Sequence, residues 1–229
     1  MRKLRSKNMC GRFTLSQPAE AIATAFQLET VPELEPRYNI APTQSVATIL
    51  QTAESKRELR LLRWGLIPSW AKDPAMGSRL INARSETVSE KPSFRNALRR
   101  RRCLIVADGF YEWQRQEHKK QPYYFRLQNK QPFGFAGLWE HWKSPDGEEI
   151  DSCTIITTAA NELMHSIHDR MPVILEPQDY DLWLDPSVQQ PEALQPLLDP
   201  YASEAMTSYP VSTLVNKPTN NSAELINSL

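Results

Sequence analysis

Residues 103–113, Cys-Leu-Ile-Val-Ala-Asp-Gly-Phe-Tyr-Glu-Trp, carry the reading on which the fold turns. Cys103–Ala107 is an unbroken apolar run, which reads as a short buried strand. The string after it sets one carboxylate, Glu112, among aromatics at a strand end. Similar β runs recur at Tyr123–Leu127, Phe133–Leu138 and Cys153–Thr158, with shorter ones at Val173–Leu175 and Tyr209–Ser212. Upstream, Val46–Leu50 and Glu58–Trp64 read as a strand pair around Thr52–Lys56.

Helical signals are short. Ser16-Gln17-Pro18 opens a helix with Pro18 in its first turn and Ala19, Ile22 and Phe26 on one face. Ser93–Arg102 reads as a helix ending in four arginines, where cations suit the C-terminal dipole. Ala159–Ser166, Asp179–Leu184 and Pro191–Leu198 complete the set. With no repeat, low-complexity tract or linker, the expectation is an α+β fold. It is a single domain, with a largely antiparallel, barrel-like β core flanked by short helices.

A chain of 229 residues is long enough to bury a sizeable core. Its 40% apolar and 24% charged residues exclude a disordered chain or a coiled coil. No apolar run approaches the ~18 residues of a membrane span. Cys10, Cys103 and Cys153 are odd in number and widely spaced, so neither a disulfide framework nor a C-x-x-C ribbon is read. The basic first ten residues lack the apolar segment of a secretory signal, which places the chain in a reducing cytoplasm, nucleoid-associated if it meets DNA.

Acidic and basic residues balance at 27 each, and the first eight residues hold four of the cations. A chain starting at Met9 carries a formal charge of −4. Any nucleic-acid site must therefore be a local patch.

Phosphate-loop, dinucleotide and zincin signatures are absent from the sequence. His165 and His168 sit three apart, but without a third ligand at a telling spacing the structural reading outweighs the metal one. Five polar strings remain: Met9–Phe13, Arg37–Thr43, Leu80–Thr87, Ala107–Trp113 and Ile167–Pro172. Each has a plain reading. Cys10 reads as a small buried hydrophobe. The amide and guanidinium groups of Arg37–Thr43 and Leu80–Thr87 read as caps and surface pairs. Glu112 reads either as a solvated carboxylate or as an acid–base group with a raised pKa.

Taken in order, the five strings resemble the SOS-response-associated peptidase family, whose members process abasic sites. The matching pieces are Cys-Gly-Arg-Phe, Arg-Tyr-Asn-Ile-Ala-Pro, Ile-Asn-Ala-Arg-x-Glu-Thr, Ala-Asp-Gly-Phe-Tyr-Glu-Trp and Ile-His-Asp-Arg-Met-Pro. Val215-Asn216-Lys217 and Ala223–Ile226 also fit the family's C-terminal end. The resemblance covers residues 9–229 and leaves 1–8 as a leader outside the native chain, with translation starting at Met9.

The resemblance implies a covalent thiazolidine link between Cys10, exposed as the N-terminus, and abasic sites in single-stranded DNA. It implies catalytic roles for Cys10, Asn82, Glu112 and His168, and DNA contacts by Arg12, Pro42, Trp70, Arg84 and Arg170. An α-amine with a pKa near 8 is free base to roughly tens of per cent near neutrality, against about 0.1% for lysine, so it suits attack on an aldehyde. Ala71 stands where some family members carry a second tryptophan, which weakens stacking at a single-strand/duplex junction. No metal, no cofactor and no membrane is expected, and the chain is expected to act as a monomer. Two other classes compete: an N-terminal-cysteine peptide hydrolase with autoproteolytic activity, and a non-covalent reader of single-stranded DNA.

Overall fold

The computed structural model describes residues 10–52, 54–117 and 119–229. The reading of residues 1–8 as a leader lies outside the described residues. The strands, in chain order, are β1 (Phe13–Leu15), β2 (Arg37–Ile40), β3 (Ser45–Gln51), β4 (Arg57–Trp64), β5 (Asn82–Arg84), β6 (Arg102–Ala107), β7 (Gly109–Arg115), β8 (Lys120–Leu127), β9 (Phe133–Lys143), β10 (Glu149–Ala159), β11 (Arg170–Pro172), β12 (Ile174–Leu175) and β13 (Met206–Pro210). The α-helices are α1 (Ala19–Phe26), α2 (Arg95–Arg100), α3 (Glu162–His165), α4 (Tyr180–Leu184) and α5 (Pro191–Leu194).

Five strands close a barrel in the order β10-β4-β3-β6-β9, with β9 pairing back onto β10. Closure depends on two strands of 11 residues. Phe133–Leu138 of β9 runs along β6, and Gly137–Lys143 then runs along β10. Gly137 stands at that changeover, where a Cβ would come within 2.8 Å of Cys103 Sγ. Only β4 and the short β5 meet β10 in parallel; the other pairings are antiparallel. Closing the sheet removes the exposed edges that an open one would present.

β6 is buried along its whole length, which is why Cys103–Ala107 is continuously apolar rather than alternating. The Trp183 indole of α4 donates to the Cys103 carbonyl at 2.9 Å. A second, five-stranded sheet in the order β13-β8-β7-β1-β2 packs against the barrel. Phe13 of β1 meets Trp64 and Phe135 of the barrel, with ring centroids 5.1 and 5.8 Å apart. Within the second sheet Phe110 stacks on Phe125 at 5.1 Å. No helix among the described residues is long and apolar enough to cross a membrane.

The first helix has the expected face, with Ile22 and Phe26 fully buried. The second ends earlier than the arginine run suggests. Arg102 begins β6, and its buried guanidinium donates to the carbonyls of Leu98 and Trp183 at 2.6 and 2.5 Å. The late strand is Met206–Pro210 rather than Tyr209–Ser212, because it pairs residue by residue with Leu127–Tyr123 of β8. Ala159 finishes β10, and α3 starts only after Asn161, whose Oδ1 accepts from the Met164 N–H at 3.1 Å.

Candidate active site

Two short ladders bring the strings together. β1 pairs with β7 at Phe13–Phe110 and Thr14–Gly109, and the Tyr111 N–H donates to the Arg12 carbonyl at 3.0 Å. Continuing that register toward the N-terminus sets Gly11 opposite Glu112, with Cys10 next along the chain. The Cys10 backbone nitrogen donates to Glu112 Oε1 at 2.6 Å, across 102 residues of sequence. Cys10 is 4% exposed and adopts a φ of 37°, in the left-handed region that non-glycine residues visit rarely.

Glu112 is 2% exposed and sits in mid-strand, not at a strand end. Burial raises its carboxyl above the ordinary 4.5, opposed by the His168 charge and the Cys10 N–H. Burial likewise pushes the Cys10 thiol well above its ordinary 9.0; the Glu112 charge adds to that shift and Arg170 opposes it.

His168 lies on the turn after α3, with its backbone N–H on the Met164 carbonyl at 2.9 Å. The Arg170 N–H, which can only donate, lies 3.1 Å from His168 Nδ1. The Arg170 carbonyl and the Asp169 carboxylate, which only accept, lie 3.2 and 3.3 Å from the same nitrogen. His165 is exposed, so the two histidines do not share an environment.

Across β10 the third and fifth strings converge. Thr157 pairs with Arg84 of β5 on one side and with Pro172 of β11 on the other. Asn82 opens β5 opposite Ile155, partly buried. The Arg170 guanidinium donates to the Thr157 carbonyl at 2.5 Å and forms a two-pronged ion pair with Glu86, one contact being 3.0 Å. Arg84 is exposed.

A pocket of about 320 Å³ opens beside Glu112 and His168. Its wall also includes Arg12, Trp113, Arg115, Lys120 and Asn216. Arg12 donates to Asn39 Oδ1 and to the Val215 carbonyl, both at 2.8 Å, and burial lowers its pKa. Asn39 is buried, and its amide donates toward the carbonyls of Val215, Lys217 and Asn220 at 3.2, 3.0 and 3.0 Å. These contacts latch the C-terminal segment onto β1 and β2. The latch presents Asn216, whose Oδ1 accepts from the Trp113 indole at 2.7 Å.

Of the residues predicted for the site, Glu112, His168 and Arg12 line the pocket, and the buried Cys10 joins them through its contact with Glu112, with Arg170 close enough to act on the thiol. Asn82, Arg84 and Arg170 belong to the neighbouring β10 flank rather than the pocket wall. Pro42 is partly buried just after β2, and Trp70 is 56% exposed on the loop after β4. Sequence reasoning missed Trp113, Arg115, Lys120 and Asn216 as site residues. Trp113 and Asn216 stood inside matched strings and were legible as neighbours, whereas Arg115 and Lys120 carried no local signal.

Known proteins resemble this chain in sequence and in fold. The family model described as SOS response associated peptidase (SRAP) matches residues 9–218. A protein named abasic site processing protein YoqW, from Bacillus subtilis strain 168, is 51% identical over 224 residues, covering 96% of this chain and 100% of its own. The abasic site processing protein HMCES of Xenopus tropicalis is 38% identical over 221 residues, covering 83% of this chain and 65% of its own. A solved crystal structure of a protein from Bacteroides thetaiotaomicron superposes with a TM-score of 0.86 at 27% identity, covering 96% of this chain and 100% of its own.

Proposed function

Since the chain belongs to the SOS response associated peptidase family, we propose that it processes abasic sites in single-stranded DNA, single-strand/duplex junctions included, by a covalent link through Cys10. The observation that carries this reading is the 2.6 Å contact between the Cys10 nitrogen and the buried Glu112 carboxylate. That hydrogen bond satisfies a buried backbone N–H, and it also suits a nitrogen that must lose and regain protons.

The chemistry requires Cys10 to be the first residue, because a peptide nitrogen cannot form an imine. The free α-amine adds to the aldehyde carbon of the ring-opened sugar, and loss of one water gives a Schiff base. The thiol of the same residue then adds to the C=N carbon. The C–S bond forms, the π pair moves to nitrogen, and nitrogen takes up the thiol proton, closing a thiazolidine. Tethering thiol and amine on one residue supplies a large effective molarity for that closure.

Glu112 takes the proton from the attacking amine and returns it in the dehydration. His168 supports ring opening by protonating the sugar oxygen. Two groups of differing environment suit a reaction that both adds and removes protons. Asn82 orients the sugar by hydrogen bonds, while Arg12, Arg84 and Arg170 face phosphates, and Pro42 and Trp70 stack on bases. Turnover is modest, because the product stays attached.

A second reading, cleavage of the peptide bond before Cys10 by its own thiol, is favoured by the left-handed φ at Cys10. The two readings are compatible, since cleavage would free the amine.

The test mixes protein beginning at Cys10 with a single-stranded oligonucleotide carrying one abasic site and resolves the products on a denaturing gel. The expected result is a shifted band stable to heat and SDS, lost in Cys10→Ala and absent when the residues before Cys10 are retained uncleaved. Failure of the Cys10-first protein to form the band sinks the covalent reading. Intact-mass measurement of the full chain then reports any self-cleavage.

A further inference from the structure

Two cations on the pocket wall are unaccounted for by any role above. Arg115 ends β7 and Lys120 begins β8, and the two are direct cross-strand partners at the tip of their hairpin. Like charges set directly opposite each other weaken a β ladder. Both residues are exposed, and among the described residues neither has an ion pair or a side-chain hydrogen bond. Both nevertheless line the pocket that holds Glu112 and His168.

The other cations nearest the site are already engaged. Arg12 is committed to Asn39 and the Val215 carbonyl. Arg170 is committed to Glu86 and the Thr157 carbonyl. The hairpin tip is thus the one place on the pocket wall, among the described residues, where paired positive charge stands without a protein partner.

We propose that Arg115 and Lys120 form a clamp for the backbone phosphates of the DNA strand as it leaves the pocket. An anion seated between them removes the cross-strand repulsion, so binding and hairpin stability favour the same arrangement. The fork of Arg115 suits a phosphate by two parallel N–H contacts, and Lys120 adds a mobile point charge. The Trp113 indole lies two residues from Arg115 on the same strand, toward Glu112, and gives the adjoining wall an aromatic surface. The inference rests on the DNA-processing reading and extends it to a contact set that the family strings do not contain.

The test measures equilibrium binding of the full chain to a single-stranded oligonucleotide carrying one tetrahydrofuran abasic analogue, which has no aldehyde to react. Binding is followed from 50 to 200 mM salt for the wild type, Arg115→Gln/Lys120→Gln and Arg99→Gln/Arg100→Gln. The last pair removes the same charge from exposed residues of α2 that do not line the pocket. Releasing two phosphate contacts flattens the logarithmic salt slope by about 1.4, so the wild-type advantage over the hairpin variant shrinks about sevenfold across that range. The α2 variant keeps the wild-type slope. Equal slopes for the wild type and the hairpin variant, or equal losses in both variants, overturn the clamp and leave the DNA-processing reading standing. A wild-type chain that does not bind the oligonucleotide at all overturns both. Circular dichroism of the hairpin variant confirms that it folds.

Discussion

Glu112 Oε1 lies 2.6 Å from the Cys10 backbone nitrogen, and the Glu112 charge also acts on the Cys10 thiol. One carboxylate therefore addresses both nucleophilic atoms of a single residue. The β1–β7 ladder fixes Phe13 on Phe110 and so brings the residues before β1 within reach of Glu112. A shift of one residue in that ladder would turn Glu112 away from the cysteine.

Glu112→Gln keeps the shape of the site and removes its proton acceptor. Single-turnover cross-linking by Cys10-first protein is expected to slow by roughly a hundredfold or more. Because burial raises the Glu112 pKa above 4.5, the wild-type rate should climb with pH through that shifted value, and the variant should lack this limb. Gel-resolved rates between pH 5 and 8 decide the matter. Identical profiles would remove Glu112 from the proton transfers.

The same substitution should stabilise the fold near neutrality. Glu112 has a folded pKa raised above its unfolded value, so its contribution is fully present below about pH 4.5 and is lost as pH rises through the folded value. At pH 7 the chain bears the cost of an ionised buried carboxyl. Thermal melts should show Glu112→Gln gaining over the wild type at pH 7, with the gap closing by pH 4. A lower melting temperature for the variant at pH 7 would show that the Cys10 and His168 contacts outweigh burial.

Asn39→Ala should unlatch the C-terminal segment. Its amide faces three carbonyls between Val215 and Asn220, and it also receives Arg12. Losing a buried group of this kind costs about 1–3 kcal/mol. Hydrogen exchange should accelerate over residues 213–221 and stay slow in β6 and β9. Unchanged protection in the segment would show that Asn39 does not hold it.

Glu86→Gln should release Arg170. Glu86 is about half exposed and its carboxyl is lowered chiefly by the hydrogen bond from Arg170, so it occupies the guanidinium fork that a phosphate would use. Binding of a non-reactive abasic oligonucleotide should tighten, and its salt slope should steepen by about 0.7. Weaker binding would mean that Glu86 holds Arg170 in its working position.

Strand runs, short helices and the α+β class were legible in the sequence because they rest on local apolar patterning. Cys103–Ala107 could be read as a buried strand without reference to its neighbours, and Ile22 with Phe26 marked the inner face of α1. The polar strings likewise singled out Cys10, Glu112 and His168. Very short strands such as β1, β2, β5 and β11 were not read, since three or four residues carry no period to detect.

Closure of the barrel, and the meeting of Cys10 with Glu112, were decided only by tertiary structure. Both depend on register between segments far apart in the chain, and register is set by the sum of many pairings rather than by any one string. The same holds for charge. Arg102, Arg170 and Arg115 look alike in the sequence, yet one is buried on backbone carbonyls, one is paired with Glu86 and one stands unpaired at the pocket. An arginine's role follows from the acceptors that folding brings within reach of it, and those acceptors lie elsewhere in the sequence.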